Sequence, residues 1–209
     1  MSKQIETPQI ERRNFSTKLT RMDGDDTESR KIAGTATVYD NEYKLWGRYY
    51  ERVAPGALTE ALKDSDCRAL FNHDQNLLLA REASGTLTLT DSDDGLAYEF
   101  DAPDTTTGND LLALIERGDI RESSFAFMVA EADYSYEYDE DGYMTKSLRT
   151  ITRISALYDV SPVTYPANPD TSVAKRGFQA NPGEHERRAR IEHENELLDI
   201  DIRMRTINQ

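Results

Sequence analysis

Two consecutive serines, Ser123 and Ser124, head an apolar run, Phe125-Ala126-Phe127-Met128-Val129, that begins shortly after Gly118 closes a helical pattern. Phe125, Phe127 and Val129 alternate as strand residues do, and strand neighbours point to opposite faces. Ser124 therefore shares a face with Ala126 and Met128, and Ser123 with Phe125 and Phe127. A hydroxyl fixed on a strand is held more rigidly than one on a loop, and we read Ser124 as a nucleophile. A serine hydroxyl is weak until a base takes its proton and a third group orients that base. The rest of the chain has to supply both.

Of the three histidines, His185 and His193 lie in a charged tail and read as solvated bystanders. His73 sits beside the apolar run Arg68-Ala69-Leu70-Phe71, between Asn72 and Asp74. It reads either as a hydrogen-bonded structural histidine or as a general base, since imidazole titrates near neutrality. Asp159 is an acid inside the otherwise apolar strand Leu157-Tyr158-Asp159-Val160-Ser161. A buried carboxylate without a partner is costly, so Asp159 is expected to pair, either with a histidine it orients or with an arginine such as Arg153. Two competing chemistries are weaker. Asn72-His73-Asp74 and nearby acids could bind a divalent ion, but no second core histidine or thiolate cluster accompanies them. Cys67 with His73 could act as a thiol nucleophile, although a lone buried cysteine is more often an apolar filler. No phosphate-binding glycine loop is present.

The elements that must position these groups read as mainly β. Strands are expected over Lys31–Tyr39, Trp46–Val53, Arg68–Phe71, Leu77–Arg81, Gly85–Thr90 and Gly95–Ala102, with short helices at Ala57–Lys63 and around Leu111–Ile115. After Ser123–Ala132 come Tyr134–Tyr138 and Tyr143–Arg149, a hairpin around Asp139-Glu140-Asp141-Gly142. Thr150–Leu157 and Asp159–Tyr165 close the run. The 209 residues suit one domain with extensions. These are a polar segment 1–30, mostly without regular structure apart from an edge strand near Phe15–Leu19, a domain over 31–174, and a charged tail 175–209 that is a weak helix or disordered. The single cysteine rules out an internal disulfide. A net charge of −14 argues against general nucleic-acid binding. No apolar run reaches the roughly 18 residues of a membrane span, and a soluble, cytosolic protein is expected. No cofactor is expected.

Taken in order, several stretches resemble the HK97-type prohead proteases of phages, serine peptidases of capsid maturation. They are Gly34-Thr35-Ala36-Thr37-Val38-Tyr39, Glu51-Arg52-Val53-Ala54-Pro55-Gly56-Ala57, Phe71-Asn72-His73-Asp74, Gly95-Leu96, Gly118-Asp119-Ile120 leading to Ser124-Phe125-Ala126-Phe127, and Tyr158-Asp159-Val160-Ser161-Pro162-Val163-Thr164-Tyr165-Pro166-Ala167-Asn168-Pro169. The resemblance implies a β-barrel-like fold similar to the herpesvirus assembly proteases and a triad of His73, Ser124 and Asp159, with Ser124 ahead of Ser123. Ala126 stands where that family usually has Gly, and Asp159 where it commonly has Glu. The implied activity is an endopeptidase inside the immature capsid, in the host cytoplasm. Its implied substrates are the scaffold, or a scaffold-like segment of the major capsid protein, and the protease itself, with self-association left open. The alternative is a non-catalytic assembly or scaffold module on the same fold.

Overall fold

The computed structural model describes residues 2–5, 9–15, 19–21 and 29–165. The tail 175–209, with His185 and His193, lies outside them, as do residues 16–18 of the expected Phe15–Leu19 strand. The described chain runs through strands β1 (Ser2–Ile5), β2 (Ile10–Phe15), β3 (Thr20–Arg21), β4 (Lys31–Val38), β5 (Tyr43–Trp46) and β6 (Tyr49–Val53). Helix α1 (Thr59–Lys63) leads into β7 (Arg68–Phe71), β8 (Asp74–Arg81), β9 (Leu87–Ser92) and β10 (Gly95–Asp101). Helix α2 (Thr106–Arg117) precedes two long strands, β11 (Glu122–Tyr138) and β12 (Met144–Val163). The protein is mainly β with two short helices. Its described strands form an eight-stranded sheet and a four-stranded sheet rather than one closed barrel. No helix among the described residues is long and apolar enough to cross a membrane.

The antiparallel pair β11–β12 is the spine of the larger sheet, and bulges interrupt its register at several points. Residues read from the sequence as separate strands on either side of Asp133 and Tyr158 are continuous here: Asp133 pairs in register with Thr150, and at Tyr158 a bulge absorbs an extra residue without ending the strand. The expected strand Trp46–Val53 is instead a hairpin, β5–β6, turning at Gly47 with φ 50°. Helix α2 stops where Gly118 predicts but begins earlier than its sequence signals suggest, with its cap at Thr105. The Thr105 side chain caps the backbone N–H of Gly108, and Gly118 ends the helix in the left-handed conformation at φ 79°. The apolar face of α2, with Leu111, Leu112 and Ile115, joins Ile32, Leu96, Tyr98, Phe100, Phe125 and Phe127 in the core.

The polar N-terminal segment departs most from its composition. β1 and β2 both pair antiparallel with β11, and β2 carries Glu11 and Arg13 into the interior. Two other buried charges meet them there. Arg13 binds Glu51 of β6 at 2.6 Å, and Arg149 of β12 binds both Glu11 and Glu51 at 2.9 Å. The Tyr43 hydroxyl also donates to Glu51. Two arginines and two glutamates cancel in charge and share their hydrogen bonds, which is the condition for burying ions at tolerable cost. Against the burial that opposes ionisation, Arg13 and Arg149 hold the Glu11 carboxyl down to about 2. The cluster locks β2 along β11, and β2 lies directly beside Ser124.

Candidate active site

The histidine arrives on a tight turn. Phe71 and Asp74 pair across the β7–β8 hairpin, leaving Asn72 and His73 as a two-residue loop. Both are left-handed, at φ 56° and 58°, the backbone of a type I′ turn. Asparagine suits the first position, and histidine is among the few other residues enriched at positive φ. Asn72 also laces the turn to the end of β12. Its backbone N–H donates to the Pro162 carbonyl at 3.0 Å, and its Oδ1 accepts from the Thr164 N–H at 2.8 Å. Its Nδ2 donates to the Thr164 hydroxyl at 3.0 Å.

β12 and β11 bring the other two groups. Ser124 pairs with Ser161 and Ala126 with Asp159. Directly opposed residues share a face, so Ser124, Ser161 and Asp159 all project to the same side of the sheet. His73 lies between them. Its Nε2 is 2.7 Å from Ser124 Oγ, and its Nδ1 is 2.6 Å from Asp159 Oδ1. The Ser161 hydroxyl, fully buried, donates to the same Oδ1 at 2.7 Å. A carboxylate only accepts, which assigns the shared hydrogen to Nδ1 and turns Nε2 to the serine. The Ser124 hydroxyl has a second acceptor, the Arg13 carbonyl of β2 at 3.0 Å. With one proton it satisfies one acceptor at a time. It turns to Nε2 when the ring is neutral and to Arg13 when Nε2 itself carries a proton.

The two serines separate by what each touches. Ser123 is also fully buried, but its hydroxyl bonds the Tyr98 hydroxyl at 2.8 Å on the core face. Tyr98 in turn covers Gly34 of β4, where a Cβ would come within 2.6 Å of the ring. Burial pushes the Tyr98 phenol up, so it stays a neutral partner. Ser123 is thus a packed hydroxyl and Ser124 the one on the imidazole. Asp159 takes the histidine rather than Arg153, which pairs with Glu131 at 2.9 Å.

The competing readings lose their geometry. Cys67 is fully buried, and burial, followed by the charges of Asp159 and Glu82, pushes its thiol up and away from the reactive thiolate. Asp74 is engaged by Asn76, accepting from its backbone N–H at 2.8 Å. No group of three or more His, Cys, Asp or Glu side chains able to hold a metal comes together among the described residues. Reading residues singly missed Asn72, Ser161 and Arg13. The signal for Asn72 was present, since Asn followed by one residue between apolar runs is a hairpin sign. Arg13 acts through its backbone, which no side-chain pattern announces.

A hydroxyl on an imidazole that is itself held by a buried carboxylate is the arrangement by which serine peptidases activate a nucleophile. The chain belongs to the caudovirus prohead serine protease family, whose family model matches residues 16–186. Among solved structures it is similar to the capsid assembly protease of bacteriophage T4, with a TM-score of 0.46 and 13% identity, covering 76% of this chain and 99% of that one. No curated protein matches the sequence.

Proposed function

We propose that the chain is a serine endopeptidase of phage head maturation with Ser124 as nucleophile, His73 as general base and Asp159 as its orienting acid. The observation that carries this reading is the unbroken contact from Ser124 Oγ to His73 Nε2, at 2.7 Å, and from His73 Nδ1 to Asp159 Oδ1, at 2.6 Å. In the reaction, Nε2 takes the Ser124 proton as Oγ attacks a peptide carbonyl. It then returns that proton to the departing amine, leaving an acyl-enzyme that water hydrolyses. Asp159 stabilises the imidazolium formed on the way and keeps the ring in the needed tautomer. Membership of the prohead protease family supports placing this chemistry in the assembling capsid within the host. The substrates we assign are the scaffold, or a scaffold-like segment of the major capsid protein, and the protease itself. The polar tail beyond the Pro166-Ala167-Asn168-Pro169 region is the self-cleavage site we favour, since accessible chain ends are where proteolysis concentrates.

The decisive experiment co-expresses the protein with its capsid protein and sequences the capsid N-terminus. Ser124→Ala abolishes processing on this reading, while Ser123→Ala, which leaves the triad hydroxyl in place, retains it. Processing that survives Ser124→Ala refutes the assignment and leaves the non-catalytic assembly module as the better account.

A further inference from the structure

A cavity of about 350 Å³ opens beside the triad, lined by Arg68 and Leu70 of β7, Gln75 and Leu78 of β8, and Tyr158 and Asp159 of β12. The pairing places it on the same sheet face as Ser124. Asp159 registers with Arg68 in the parallel β12–β7 ladder, and Leu70 faces Leu78 across the β7–β8 hairpin. One alternation along β12 separates Asp159 from Ser161, the partner of Ser124. The bulge between Ala126 and Phe127 leaves Tyr158 without a cross-strand partner in β11, and bulges of this kind re-aim a side chain next to a site.

We propose that this cavity is a specificity pocket that receives one apolar side chain of the cleaved peptide, a role that rests on the peptidase reading above. Its walls fit that occupant. Leu70 forms a floor that is 4% exposed, and the rim offers two apolar groups to solvent, Leu78 at 50% and Tyr158 at 37%. The charges at its border are already engaged. Arg68 bonds the Asp66 carboxylate at 3.0 Å, and Asp159 Oδ1 accepts from both His73 and Ser161. An acidic side chain would have to compete with Asp66 for Arg68, whereas an apolar one covers Leu70, Leu78 and Tyr158 and leaves water. Asp159 is common to the pocket and to the Ser124–His73–Asp159 contacts, so the pocket borders the site at its acid end, on the sheet face a peptide must approach to reach Ser124.

The test uses the full chain and labels it with a small fluorophosphonate and with tripeptidyl phosphonates in which one side chain at a time is Leu, Phe, Lys or Asp. The readout is the ratio of labelling rates between side chains within each protein. At one position Leu and Phe are expected to outpace Asp by roughly 10- to 100-fold. Leu78→Lys, a change at a half-exposed rim position, is expected to invert that ratio in favour of Asp. Equal rates for every side chain at every position would overturn the pocket, as would a Leu-over-Asp ratio that Leu78→Lys leaves untouched. A preference for Lys would also overturn it, since the pocket would then be reading charge through Asp159. Failure of even the small fluorophosphonate to label Ser124 would instead strike the peptidase reading, and the pocket's role would fall with it.

Discussion

Replacing Glu11 with Gln tests the claim that a buried charge cluster docks the N-terminal strand beside Ser124. The Glu11 carboxyl sits at about 2 in the folded protein against an ordinary value of 4.5, because Arg13 and Arg149 overcome the cost of its burial. A carboxyl whose folded value lies below its unfolded one adds stability that is complete above the unfolded value. That stability is lost as pH falls through the folded one. The gap between 4.5 and about 2 corresponds to about 3 kcal/mol at neutral pH. Breaking a buried ion pair by removing one partner costs a similar ~3–5 kcal/mol. Urea unfolding followed by far-UV circular dichroism, at pH 7 and at pH 2.5, gives the stability difference between wild type and Glu11→Gln at each pH. That difference is expected to be about 3 kcal/mol at pH 7 and to shrink to about 1 kcal/mol at pH 2.5, where the unfolded chain's carboxyl is protonated and folding must release a proton to ionise Glu11. A difference that is the same at both pH values, or below about 1 kcal/mol at pH 7, would refute the view that ionised Glu11 anchors β2.

Three further outcomes follow from the site. Asp159→Asn keeps the size of the acid but supplies an amide that no longer fixes the Nδ1–H tautomer, and peptidase turnover is expected to fall roughly 10³- to 10⁴-fold. Single-turnover acylation of Ser124 measures it. Asn72→Ala removes both side-chain bonds to Thr164 and places an alanine in a left-handed turn. Acylation is expected to slow roughly 10- to 100-fold with little change in KM, and Asn72→Asp, which keeps an acceptor for the Thr164 N–H, to recover much of it. Gly34→Ala drives a Cβ into the Tyr98 ring, which has no room to retreat, and thermal unfolding should show a loss of about 1–3 kcal/mol.

The parts of the site legible in the sequence were those carried by local pattern. Strand alternation put Ser123 and Ser124 on opposite faces but only the resemblance of Ser124-Phe125-Ala126-Phe127 chose between them, while His73 stood alone in the β region and Asp159 was conspicuous as an acid among apolar residues. The β7 strand and the C-terminal end of α2 were readable because Phe71 and Gly118 act within a few residues of themselves; the start of α2, at Thr105, lies ahead of the Thr107–Asp110 stretch that reads as its cap. What stayed hidden depended on partners far along the chain. Glu11 and Arg13 look like solvated surface until Glu51 and Arg149 are placed against them, so a buried strand passed for polar extension. Trp46–Val53 passed for one strand because a glycine turn can sit within a run of strand-forming residues. The continuity of β11 and β12 was obscured because bulges, which depend on the facing strand, leave no mark on the strand that carries them.

The three groups of the proposed triad rest on supports of very different strength. Ser124 and Asp159 belong to β11 and β12, paired with each other over most of their length, while the hairpin bearing His73 meets β12 through two registered residue pairs, Asp159 with Arg68 and Val160 with Ala69, plus the Asn72 bonds. Local opening takes the route that breaks the least. The imidazole can therefore part from the serine and return while the spine of the sheet stays closed. In hydrogen-exchange terms, the amides of β7 and the Asn72–His73 turn should exchange at a lower opening free energy than those of central β11. Whatever holds that hairpin down then governs how much of the population carries an assembled triad at any moment.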